Sequence, residues 1–201
     1  MILTCGLHEK ADILTLHPAF VALIFNGIKK WDGRNRKLRK KGRKVGVYCT
    51  GHRVSLCTSK RCLSRMLNLS ATNNALLRVP GNTLKNLCQK CRGSIVQYKR
   101  DLLQIARVVS KYTDLTVREA LTHLEVPDCF LGKIVGSLCF ADPVAITPQH
   151  DVGKLTLSNA TMHKQFAHLH ALDQVKQFKN PVDPVDRVMP GLWQARLPTP
   201  L

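Results

Sequence analysis

The sequence predicts an α+β fold: a small β-barrel with flanking helices and a mainly helical insertion. Three observations carry this. Short strand-like segments lie towards both ends of the 201-residue chain. One apolar helix is set among the early ones. The middle has a different texture, with polar clusters, cysteines and helical periodicity. An apolar fraction of 44% suffices for a core, and the length suits one domain of roughly 100–150 residues plus an insertion.

Each element follows from its local pattern. Ile13–Leu16 is short and apolar. His17-Pro18 opens a helix, with proline near the first turn, where a missing N–H costs little. Phe20, Val21, Ile24 and Phe25 keep helical spacing, and Gly27 suits the C-terminal cap. Lys44–Cys49 (KVGVYC) alternates like a strand. The middle holds polar clusters at Ser70–Asn74 and Pro80–Thr83, then two helices. One lies near Ile95–Ser110, with Leu102, Leu103, Ala106 and Val109 on one face. The other lies near Leu115–Leu124, where Thr116 and Glu119 form a capping box. Strands return at Lys133–Phe140, ended by Asp142-Pro143. Phe166–Leu172 alternates, with Phe166, His168, His170 and Leu172 on one face, and Gly191–Leu197 closes the barrel. Residues 1–50 and 129–201 thus read as the barrel, and residues 51–128 as the insertion.

Charge is the strongest functional signal. Between Lys29 and Lys44 stand ten Lys or Arg residues and one acid, so ten bases minus Asp32 leave +9 of the formal +18. Such density asks for a polyanion, and phosphate backbones bind it without sequence being read. A solvated charge run or a nuclear address is the plainer alternative. The insertion adds further cations, and Asp101 is its one acid between residues 50 and 113. No apolar run reaches the roughly 18 residues of a membrane span, and no membrane partner is expected. The start of the chain reads as neither a secretory signal nor a transit peptide, so an intracellular location is expected, with nucleus, cytoplasm and organelle left open.

The order ILTLHPAFVALIFNGIKKWDGR, KVGVYC, KIVGSLCFADP, GLWQARL resembles the ASCH domain, a PUA-like β-barrel family. The family's marker is a helix ending in glycine followed by G-x-K-x-x-E-x-R, and Gly27, Lys29, Asp32 and Arg34 stand at that spacing, with Asp for Glu. Val135-Gly136 resembles the family's V-G strand. The ending from Pro184 to Gly191, Leu192 and Trp193 looks like the eukaryotic coactivator-type and EOLA-like branch. The likeness covers residues 12–50 and 132–198 and leaves the middle unmatched. It implies a cleft beside the barrel, faced by the marker segment, and functions in RNA or DNA binding, coactivation or, in small bacterial members, hydrolysis of acylated cytidine or RNA.

On that reading Lys29 and Arg34 bond phosphate or a base edge, Asp32 orients one of them or accepts from a base amine, and Trp31 stacks on a base or packs in the core. A structural Asp32–Arg34 ion pair is the alternative. The nucleic-acid-binding candidates are Lys29, Lys30, Trp31, Asp32, Arg34, Arg36, Lys37, Arg39, Lys40, Lys41, Arg43 and Lys44. The bacterial hydrolases have threonine where Asp32 stands and a later glutamate, whereas the last Glu here is Glu125. General acid–base chemistry therefore lacks its expected parts, and His163, His168 and His170 stand as the remaining bases.

Cys57-x4-Cys62 and Cys88-x2-Cys91 read either as unrelated thiols or as four ligands of one structural Zn. Cys5, Cys129 and Cys139 read as buried small residues. Together these features predict a non-catalytic RNA-binding protein that contacts structured RNA, with RNA favoured over DNA, within a ribonucleoprotein whose proteins are further partners. A hydrolase of modified nucleosides or RNA and a coactivator-like adaptor are the alternatives.

Overall fold

The computed structural model describes residues 10–35, 37, 42, 44–50, 81–158, 166–184 and 192–196. The first strand, β1 (Lys10–Leu16), runs straight into helix α1 (Pro18–Phe25). His17 is the N-cap, its Nδ1 accepting the Ala19 N–H at 3.2 Å. Pro18 fits the first helical position because its fixed φ is already helical. Asn26 caps the end, and Gly27 takes φ +70°, a left-handed value that glycine adopts without a Cβ penalty.

Residues of the basic segment then form a strand that alternation did not predict, β2 (Trp31–Arg34). β3 (Lys44–Cys49) follows, with the predicted bounds. Next come α2 (Gly81–Lys85), the long α3 (Gln89–Tyr112) and α4 (Val117–His123). α3 starts earlier than its periodicity suggested. α4 carries the predicted capping box: Thr116 Oγ1 accepts the Glu119 N–H at 3.3 Å, and Glu119 Oε2 accepts the Thr116 N–H at 2.8 Å. A 3₁₀ turn (Asp128–Phe130) leads to β4 (Lys133–Ala145), then α5 (Val152–Thr156), β5 (His168–Val182) and β6 (Leu192–Arg196). β4 does not stop at Asp142-Pro143. Its register against β5 shifts between Phe140 and Pro143, and such an irregularity absorbs a residue that cannot donate to the ladder.

The result is an α+β protein with one six-stranded mixed sheet in the order β2-β5-β4-β3-β1-β6. β1 and β3 are parallel, and α1 lies in the connection between them, as parallel neighbours require a crossover. The other pairings are antiparallel. Among the described strands β2 and β6 are the edges, so the sheet they form is open and not closed into the expected barrel. Between β4 and β5, a Cβ on Gly136 would collide with the Lys176 carbonyl and the Phe25 ring, so only glycine fits there. No helix among the described residues is long and apolar enough to cross a membrane.

α1 is apolar on every side because it is covered on every side. Val21, Ala22 and Ile24 pack on the sheet against Leu14, Val45, Val47, Val135, Leu138 and Phe140. Ala19 and Leu23 face the other way and join Ile95, Tyr98, Leu102, Ala106 and Val109 of α3 with Ala120 and Leu124. Sheet, α1 and the α3–α4 pair are therefore stacked. Cys49 and Cys139 are buried, but Cys129 is exposed in the 3₁₀ turn, against its expected burial. Cys5 lies outside the described residues.

Candidate functional site

The Gly27 turn reverses the chain after α1 and delivers Lys29 and β2 to one edge of the sheet. β2 pairs with β5 in the register Asp32↔His170 and Arg34↔His168. Alternation along a strand puts Asp32 and Arg34 on one face with those histidines, and Trp31 with Gly33 on the other. The backing face is tight: a Cβ on Gly33 would land in the Phe166 ring. That contact holds β2 against the segment leading into β5.

Lys29 is only 4% exposed. Its ammonium donates to the Thr156 carbonyl and lies 5.1 Å from the centroid of the Phe20 ring. Burial pulls its pKa from the ordinary 10.5 down to about 8; Asp32 partly opposes this and Arg34 adds to it. Asp32 is likewise buried, and Arg34 Nε donates to its Oδ2 at 2.6 Å. The Arg34 side chain is 22% exposed against 10% for Asp32, so Arg34 is the group of the cluster nearest the surface and Lys29 lies beneath it. His170 is fully buried beside Asp32, edge-on to Phe140 with centroids 5.5 Å apart.

Next to this cluster lies α5. Asp151 caps it, its carboxylate accepting the Lys154 N–H at 3.0 Å, a bond that also lowers its pKa. The helix ends at Leu157, a non-glycine residue in the left-handed region (φ 49°, ψ 42°), a conformation that costs roughly 1–2 kcal/mol. This tight ending leaves the Thr156 and Ser158 hydroxyls 2.5 Å apart and buried, while the Thr156 carbonyl meets Lys29. The cluster thus gathers a buried cation, a paired carboxylate, two hydroxyls bonded to each other and a partly exposed guanidinium.

Neither a protein-family model nor a curated protein sequence matches this chain. Its functional reading therefore rests on these residues.

Of the other nucleic-acid candidates, Lys30, Lys37 and Lys44 are exposed and Trp31 is half-buried. Arg36, Arg39, Lys40, Lys41 and Arg43 lie outside the described residues, as does His163. Of the proposed zinc ligands, Cys88 is exposed at the N-cap of α3, while Cys91, one turn on, is buried in the helical core. Cys57 and Cys62 lie outside the described residues. Among the described residues, no group of three or more His, Cys, Asp or Glu is placed to hold a metal.

Sequence reasoning passed over Thr156, Ser158 and the burial of Lys29. The one local signal was Asp151 ahead of Val152, an N-cap residue type before a short helix.

Proposed function

We propose that the chain is a non-catalytic RNA-binding protein of the ASCH type, built on a PUA-like barrel, which grips structured RNA within a ribonucleoprotein. The observation that carries the reading is the continuity of a buried charge cluster with the basic run. Arg34 is the more exposed partner of the buried Asp32, beside the buried Lys29, and the chain leaves this cluster directly into the most basic stretch of a +18 protein. The cluster supplies positioned, charge-assisted bonds, and the flanking cations supply phosphate attraction. The preference for RNA over DNA rests on analogy with PUA-like barrels.

Titrating the purified protein with a folded RNA over a range of salt tests this. Affinity should fall steeply, with a log–log slope of about −0.7 per phosphate contact for single-stranded segments. Arg34→Ala should cost more affinity for a preferred RNA than for a random one, whereas Lys37→Ala should weaken both alike. Binding that is flat with salt would remove the phosphate-dominated interface.

A second reading, hydrolysis of modified nucleosides or RNA, is favoured by one arrangement. Lys29, with its pKa near 8, touches the segment that carries the Thr156–Ser158 hydroxyl pair, and a base works best near the ambient pH. Incubating the protein with acylated cytidine and with RNA tests it: product that disappears in Lys29→Met supports hydrolysis, and no product leaves the binding reading.

A further inference from the structure

We propose that the solvent face of α3 is a phosphate track for a double-helical segment of RNA. This rests on the RNA-binding reading above and specifies which part of the RNA the helix meets. α3 carries Lys90, Arg92, Lys99, Arg100, Arg107 and Lys111 but a single acid, Asp101. Its buried line is Cys91, Ile95, Tyr98, Leu102, Ala106 and Val109. At 3.6 residues per turn, Arg100, Arg107 and Lys111 fall on the line diametrically opposite, and all three are exposed.

An acid three or four residues away stabilises an exposed helix cation. Here Arg107 has a like charge, Lys111, four residues on, and Lys111 in turn interacts with Asp151 outside the helix. Asp101 lies off the cationic line and accepts from Gln97 Nε2 at 2.7 Å, while Arg100 donates only to the Gln97 side-chain oxygen at 3.2 Å. Arg100 and Arg107 thus have no ion pair of their own among the described residues, which fits an external anion.

Shape and composition select the anion. The stretch from Arg100 to Lys111 spans about 16 Å at roughly 1.5 Å per residue, a straight, rigid row. Single strands are gripped largely by stacking their bases on aromatic rings. No exposed residue of α3 is aromatic: Tyr98 is buried and Tyr112 is half-buried against Lys111, whose Nζ is 4.9 Å from its ring centroid. Cations without stacking platforms read a regular backbone, which a duplex offers. The row also points at the cluster. At its far end Lys111 and Tyr112 neighbour Asp151, the cap of α5, whose last carbonyl holds Lys29. An RNA with a duplex along α3 would reach the Lys29–Asp32–Arg34 cluster with its adjoining loop or strand.

The test compares the full-length protein with its Arg100→Gln/Arg107→Gln variant. Glutamine keeps helix propensity close to that of arginine, and circular dichroism and Tm check the fold. Fluorescence anisotropy against an RNA duplex of about 20 base pairs and a single strand of equal length, over a salt series, gives the slopes. For the duplex, losing two contacts should flatten the slope by roughly 1.8, taking the B-form value of about 0.9 per contact, and weaken binding about tenfold or more. The single-strand slope should stay as it was. An unchanged duplex slope, or an equal loss on both RNAs, overturns the track while leaving RNA binding intact. Failure of the unaltered protein to bind either RNA overturns the RNA reading itself, and the track with it.

Discussion

Replacing Lys29 by methionine should change how the stability of the fold responds to pH. The side chain is buried, and its folded pKa of about 8 lies below the 10.5 of an exposed lysine. At about 1.4 kcal/mol per tenfold, a charged Lys29 weakens the fold by about 3 kcal/mol near neutrality. Below pH 8 both the folded and the unfolded chain hold the proton, and this cost is constant. Between about 8 and 10.5 the unfolded chain keeps the proton that the folded chain has released. The unfolded state then binds more protons, so stability rises with pH. Between pH 7 and about 9.5 the gain from this group is about 2 kcal/mol. Cys49 acts in the opposite sense. Burial raises its thiol pKa to about 12, so the unfolded chain ionises first and stability falls as pH climbs through the ordinary thiol range. The difference between the native protein and Lys29→Met cancels Cys49 and isolates the lysine. Methionine keeps most of the stem but leaves the Thr156 carbonyl without this donor, an unmade bond worth about 1–3 kcal/mol. Near pH 7 the two proteins should therefore unfold within about 2 kcal/mol of each other, and the native protein should gain about 2 kcal/mol on the variant by pH 9.5. Urea unfolding followed by tryptophan fluorescence at several pH values measures this. A difference that does not move with pH would show that Lys29 is solvated, and the buried cation would have to be abandoned.

Other expectations follow from single contacts. Gly33→Ala should force β2 off the Phe166 ring and weaken RNA binding more than it lowers Tm, because β2 pairs only with β5 among the described strands; full binding at normal stability would contradict that coupling. Thr116→Ala removes the capping box of α4 and should cost about 1 kcal/mol in urea unfolding. If Cys57, Cys62, Cys88 and Cys91 hold zinc, metal analysis should give about one Zn per chain. Changing Cys88 and Cys91 together to Ser should release that metal and loosen α3 before the sheet. A fully folded, metal-free protein rules the zinc site out.

How far the sequence could be read depends on where the determining interactions lie. β3 was legible because KVGVYC alternates, and α4 because Thr116 and Glu119 satisfy each other three residues apart. β2 was not. Its residues, WDGR, include two charges and a glycine, and they form a strand because His168–Ala171 pair with them, not from propensity. Lys29 read, by the family resemblance, as a cation facing a ligand, not as one buried in the protein. Its burial is decided by Thr156, 127 residues away, and no local pattern reports such a contact. The Asp32–Arg34 spacing was readable, and the two do meet at 2.6 Å. That α5 lies beside them was not legible, because a helix five residues long shows no repeated turn.

α1 belongs to two cores at once, and this limits how the chain can be taken apart. Cutting out residues 51–128 to obtain a minimal sheet would bare Ala19 and Leu23, both fully buried against the helical layer. The helical layer alone would likewise lose the apolar wall on which Ile95 and Leu102 rest. Neither half is a module that can be borrowed, expressed or exchanged without redesigning the surface it shares. A displacement of α3 has only one helix to cross before it is felt by the strands on the other side.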